Sequence, residues 1–207
     1  MKNLSYLIST LIISVCSSQT FATVGGEQSI EFLGYEAKEQ KVYLLRYYGD
    51  ESGRLPQLYY YQLNQTQAPK LISVSSIYID PKTKKVEKYL ENPYFEQQLK
   101  KIKSRLKPLK AANVVTAKIQ ILSITKKQVP HPQDNEWKIT QYTHKYNISS
   151  KNMLSQTQTA VTYKPYLKIS QYYTVPAHNM AVAAVKYLAF PEETGYTSED
   201  PVLLITK

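Results

Sequence analysis

The sequence predicts a mainly β protein, an antiparallel sandwich or partly closed β-sheet with one amphipathic helix packed on it, and a small irregular β-propeller is the alternative. Two observations carry this. Phe32 to Ile72, FLGYEAKEQKVYLLRYYGDESGRLPQLYYYQLNQTQAPKLI, sets short aromatic and aliphatic runs between Gly, Asp, Ser, Pro and Asn, as pleated strands and tight reversals require. Helical periodicity, by contrast, is convincing in a single stretch, just before the middle of the chain.

At the N-terminus, MKNLSYLISTLIISVCSSQTFA has a basic Lys2, a mostly apolar core from Leu7 to Val15 and small residues before Ala22. It reads as a secretory signal peptide over residues 1–22, too short in its apolar part to span a bilayer. Residues 23–207 are then expected to form one mainly β domain. The rival reading is a lipoprotein acylated at Cys16, but Val15 is bulkier than the residue expected before a lipidated cysteine. Cys16 is the only cysteine. The mature chain would therefore be cysteine-free in a periplasmic or secreted setting, held by packing alone.

The chain has 26 basic and 16 acidic residues, a formal charge of +10. An exported basic protein meets anionic partners such as lipid headgroups or cell-wall polymers, or another protein; nucleic acid is an unlikely partner outside the cell. The 19 tyrosines suit a sheet buried on one face and wet on the other, because the ring packs while the hydroxyl reaches water.

FLGY, VYLLRYY and QLYYYQL read as an antiparallel meander. LISVSSIYI, the turn at Asp80-Pro81 and VEKYL suggest a further hairpin. A helix follows from about Pro93 to Lys107. Asn92 suits the N-cap, Pro93 the first turn, and Pro108 stops it. Phe95, Leu99, Ile102 and Leu106 form its apolar stripe, while Lys100, Lys101, Lys103, Arg105 and Lys107 occupy the other faces with no acid among them. These five are the candidate residues for an anionic partner. The stripe is expected to pack on the sheet, a membrane-surface helix being the alternative. NVVTAKIQILSI, WKITQYTHKYNIS, TQTAVTYKPYLKISQYYTV and VAAVKYLAF continue the strands, with Pro165 interrupting the third run.

The end of the chain echoes its beginning: an apolar strand, an acidic Gly-containing loop, then an apolar strand starting at a proline (Pro56, Pro201). Asp50 and Glu51 in the first loop, with Glu192, Glu193, Glu199 and Asp200 in the second, are the candidate acidic loops. Were the two loops to converge, their carboxylates could serve an enzyme with a dispersed acid–base site or hold calcium, though neither has the spacing of a calcium loop. His131, His144 and His178 are scattered, Asp134 alone falls near one of them, and His131 is expected in a loop between Pro130 and Pro132. The sequence contains no GxSxG, P-loop or GxGxxG. No catalytic residue, metal ligand or cofactor is therefore assigned, and a non-enzymatic binding or interaction protein with a basic surface is the expected function.

The segment from FLGY to KLI is similar to a blade of exported bacterial β-propellers. Together with the leader and the VAAVKYLAF to PVLLITK ending, the chain more closely resembles a family of bacterial predicted secreted proteins of unknown function. That resemblance implies an exported protein and carries over no functional residues.

Overall fold

Two antiparallel sheets face each other, and α1 closes the outside of the smaller one. The computed structural model describes residues 26–49, 52–64, 70–89, 92–131, 134–191 and 195–207. The expected leader, Cys16, Asp50, Glu51, Glu192 and Glu193 lie outside them. β1 (Gln28–Glu36), β2 (Lys41–Tyr48), β3 (Gln57–Gln62) and β4 (Leu71–Ser73) form a four-stranded meander in chain order. α1 spans Pro93–Lys103. The larger sheet comprises β5 (Lys110–Ala111), β6 (Lys118–His131), β7 (Asp134–Ser150), β8 (Met153–Ser155), β9 (Gln158–Thr162), β10 (Lys168–Thr174), β11 (Ala181–Leu188) and β12 (Thr197–Thr206). Its order is β5-β10-β11-β12-β8-β7-β6, with β9 beside β7. The four-stranded meander is blade-like, but the remaining strands share one sheet rather than forming further blades. This arrangement is a sandwich and not the alternative propeller.

Side-chain alternation explains the near-continuous apolar runs. In β2, Val42 and Leu44 meet Val182, Ala184 and Leu203 between the sheets. Tyr43 and Leu45 turn the other way, toward Phe95 and Leu99 of α1. In β11, Ala181, Ala183 and Val185 point away from the small sheet into a further core with Tyr146, Ile148, Val202 and Leu204. Successive strand residues face opposite sides, so a strand buried on both faces reads as unbroken apolar sequence.

The helix begins as expected, with Asn92 Oδ1 accepting from the Phe95 N–H at 3.0 Å. Phe95 is fully buried and stacks on Tyr78 at 5.3 Å between centroids; Leu99 is buried, and Ile102 and Leu106 are half-buried. α1 ends at Lys103, one turn short of the expected Lys107. The chain leaves it because Lys107 and Tyr35 exchange two backbone hydrogen bonds of 2.8 Å, which draws the segment onto the edge of β1. Gly34 permits that approach: its φ is +144°, and a Cβ there would stand 2.7 Å from the Lys107 carbonyl oxygen.

Other expectations change with the tertiary setting. The hairpin at Asp80 reduces to a 3-10 turn, Ser76–Tyr78, and one bridge between Ile79 and Val86. Pro165 does break the run between β9 and β10. Pro201 lies inside β12 rather than at its start, opposite Ala184. It has no N–H to give, so this must be a non-hydrogen-bonded pair. β12 pairs with β11 from Thr197 to Leu204 but with β8 only from Leu204 to Thr206. Its edge from Ser198 to Leu203 thus lacks a strand neighbour on the β8 side among the described residues.

β6 and β7 form a long hairpin whose outer part is exposed on both strands. Among the described residues, no helix is long and apolar enough to cross a membrane.

Candidate functional site: a basic outer layer and a half-buried charge pair

Residues 80–107 carry nine basic side chains and four acidic ones, half of the chain's formal charge of +10. The described residues of this stretch, 80–89 and 92–107, lie with α1 as a layer outside the small sheet. Its two basic stretches are tied together by Asn92, the helix cap, which donates from Nδ2 to the Glu87 carbonyl at 2.9 Å, and the first is pinned ahead of β3 by the Leu55 N–H, which donates to the Lys88 carbonyl at 2.8 Å. Lys82, Lys84, Lys85 and Lys88 are exposed beside the helix. Asp80 at the start of the layer is turned inward on its own backbone, accepting from the Lys82 and Thr83 N–H groups. Those hydrogen bonds hold its carboxyl below the usual carboxylate range.

The structure brings the five sequence-identified cations into this layer but spreads them over more than a helix. Lys100, Lys101 and Lys103 lie in the last turn of α1, whereas Arg105 and Lys107 follow it. All five are exposed. Lys103 stands 3.5 Å from Glu31 and Arg105 3.8 Å from Glu39, both at the surface. Lys100, Lys101 and Lys107 have no ion-pair partner among the described residues. The apolar stripe of α1 faces the fold, so this layer offers lysine and arginine outward, with Val86 and Tyr89 exposed among them.

Glu199 and Asp200, expected in the second acidic loop, are instead in β12 and do not converge. Neighbours in a strand point to opposite faces. Glu199 is buried and reaches β1, where Oε2 accepts from the Ile30 N–H at 2.9 Å; Gln171 donates to the same oxygen at 3.4 Å. Asp200 accepts from Arg46 at 2.9 Å through Oδ1 and from the Tyr187 hydroxyl at 2.6 Å through Oδ2. Arg46 also donates to Gln28 at 3.0 Å. Burial opposes its charge, but the hydrogen bond and charge of Asp200 prevail and raise its pKa. Burial, and then the adjacent Asp200 carboxylate, push the Tyr187 hydroxyl well above the usual phenol range. With both carboxylate oxygens of Asp200 engaged, this cluster cross-links β2 of the small sheet to β11 and β12 of the large one.

The flanks of the two loops do approach each other. Glu27 accepts from the Gly49 N–H through its carbonyl and from Lys186 and Thr197 through Oε1.

His131 is not in a loop. It ends β6, is 5% exposed, and stacks on Trp137 at 4.8 Å. Asp134 opens β7 in register with it. His178 meets the Tyr35 hydroxyl at 2.6 Å. His144 is fully buried, with Nε2 3.1 Å from Thr162 Oγ1. The Thr162 hydroxyl spends its proton on the Lys164 carbonyl, so His144 donates from Nε2 and leaves Nδ1 without a partner among the described residues. Burial lowers its pKa. Among the described residues, no three or more His, Cys, Asp or Glu side chains gather as metal ligands would.

Sequence reasoning missed Arg46, although a signal was present. It continues the inward face of Val42 and Leu44, and a charge at such a position calls for a buried partner.

No protein-family model matches the chain, and no curated protein or solved structure matches it. The resemblance of its two ends to a secreted family rests on sequence pattern alone.

Proposed function

We propose that the chain is an exported, non-enzymatic binding protein that meets an anionic envelope component, a polymer or a charged surface, with its basic outer layer. The observation that carries this reading is the exposed set Lys100, Lys101 and Lys107, which lacks carboxylate partners in a layer already rich in lysine. The leader-like residues 1–22 support export. Burial of the Phe95 and Leu99 stripe favours contact through charge over insertion of the helix into lipid. The engagement of Glu199 Oε2 and of both Asp200 carboxylate oxygens takes support from the acid–base alternative.

Binding of this kind is screened over about 8 Å at physiological ionic strength and should weaken steeply with salt. The test titrates the protein with dextran sulfate at low and high salt, beside a variant with Lys100, Lys101, Lys103, Arg105 and Lys107 changed to Gln. The reading expects both salt and the five changes to weaken binding while the fold persists. Affinity indifferent to both would overturn it.

A further inference from the structure

The bare edge of β12 borders a cavity of about 500 Å³, lined by Arg46, Tyr61, Lys70, Leu71, Tyr146, the polar segment 156–159, and Asp200, Pro201, Leu203 and Ile205. We propose that it is a binding site, separate from the basic layer, for a small amphiphilic oxyanion: a carboxylate or phosphate on an apolar body. Its volume falls in the range of small-molecule sites, which are concave, partly apolar and supplied with a few fixed polar groups.

Three features of the lining define the ligand. Leu71, Pro201, Leu203 and Ile205 provide apolar surface for its body. Charge is uneven: Arg46 and Asp200 neutralise each other at 2.9 Å, which leaves Lys70, exposed and without an ion pair among the described residues, as the unbalanced cation. The third feature is Tyr146. It is fully buried, and its hydroxyl has no hydrogen-bond partner among the described residues. Burial, and then the nearby Asp200 carboxylate, raise its pKa far above the ordinary phenol value, so the hydroxyl stays protonated and can donate. A buried donor without an acceptor is unfavourable; the hydroxyl has no accessible surface in the free protein, so an oxyanion supplies the acceptor once its entry parts the side chains over Tyr146. The Tyr61 hydroxyl, by contrast, is committed to the Pro201 carbonyl at 2.8 Å. Pro201 itself presents no N–H along this edge, which disfavours an added strand and leaves the gap to a compact molecule.

The experiment follows amide shifts of the isotope-labelled full chain by NMR during titration with octanoate, octyl phosphate, octanol and inorganic phosphate. Octanoate or octyl phosphate, whichever headgroup the site takes, is expected to give saturable shifts confined to residues around 61, 70–71, 156–159 and 200–205. Octanol should bind more weakly, and inorganic phosphate should leave those residues unmoved. Lys70→Gln, at an exposed position, should weaken binding by about fivefold, the upper worth of an exposed charge pair. Tyr146→Phe should weaken it while leaving thermal stability equal or higher, because it removes an unsatisfied hydroxyl. Absence of saturable shifts at these residues would overturn the site. Equal affinity for octanol and octanoate, or an unchanged affinity in both variants, would overturn the assignment of an oxyanion.

Discussion

The hairpins β11–β12 and β6–β7 are built from similar β-forming residues and meet opposite fates. In β11, Ala181, Val182, Ala183, Ala184 and Val185 are wholly buried, one face against the small sheet and the other against Tyr146 and Ile148. In β6, Ile121, Leu122 and Ile124 are between 43% and 54% exposed, and among the described residues the strand pairs with β7 alone. Local sequence thus makes the strand, while the layers on either side decide what it contributes. Lys126, Lys127, Pro130 and the irregular pairing around Leu122 blunt the free edge of β6, the devices that keep an exposed strand from recruiting another.

Truncation measures this contrast most sharply. Leu204→Ala, in the core behind β11, should cost about 2 to 5 kcal/mol, whereas Leu122→Ala on the arm should stay within about 0.5 kcal/mol. Equal losses in thermal or urea unfolding would end the distinction between the hairpins. α1 carries both regimes on one element. Leu99→Ala should match the core value of about 2 to 5 kcal/mol, and Lys101→Ala should change stability negligibly. A helix that bound lipid by its stripe would show the reverse, a stable Leu99 variant that fails to bind liposomes.

The polar link between sheets ranks next. Glu199→Ala would strand the Ile30 N–H, while the Gln171 amide keeps its 2.7 Å bond to the Ile30 carbonyl, and should cost about 1 to 3 kcal/mol, read from chemical unfolding. No loss would mean that Glu199 is not a cross-link.

His144, buried where the arm joins the body, gives a smaller effect that depends on pH. Its folded pKa is depressed while the unfolded chain takes up a proton near the ordinary value of about 6.5. Its contribution is therefore present above that pH and lost as pH falls below it, because a second ring N–H would be buried without an acceptor. The melting temperature should decline on acidification through this window, and His144→Gln should flatten the decline. An identical slope in the variant would assign acid sensitivity elsewhere.

Much of this fold was legible in local chemistry. The Asn92-Pro93 start, the Phe95 to Leu106 stripe, the first meander and the break at Pro165 all follow from residues within a few positions of each other. The errors arise where partners are distant in sequence. Glu199 and Asp200 look like loop acids until Ile30 and Arg46, more than 150 residues earlier, are seen to satisfy them. The helix ends early because Lys107 pairs with Tyr35, which no feature near Lys107 announces. Of the site, the five cations were readable as a run. The cavity at β12 was not, since it arises where β8 pairs with only three residues of its neighbour.

The central claim is that the basic outer layer, rather than the core hairpins or the arm, meets the anionic partner. Hydrogen exchange of the full chain with and without dextran sulfate tests it most directly. The expected result is slowed exchange across residues 82–107, abolished by high salt, with β11 and β12 unchanged. Slowing confined to β6–β7 or to the lining of the β12 cavity, or slowing that survives high salt, would contradict the account.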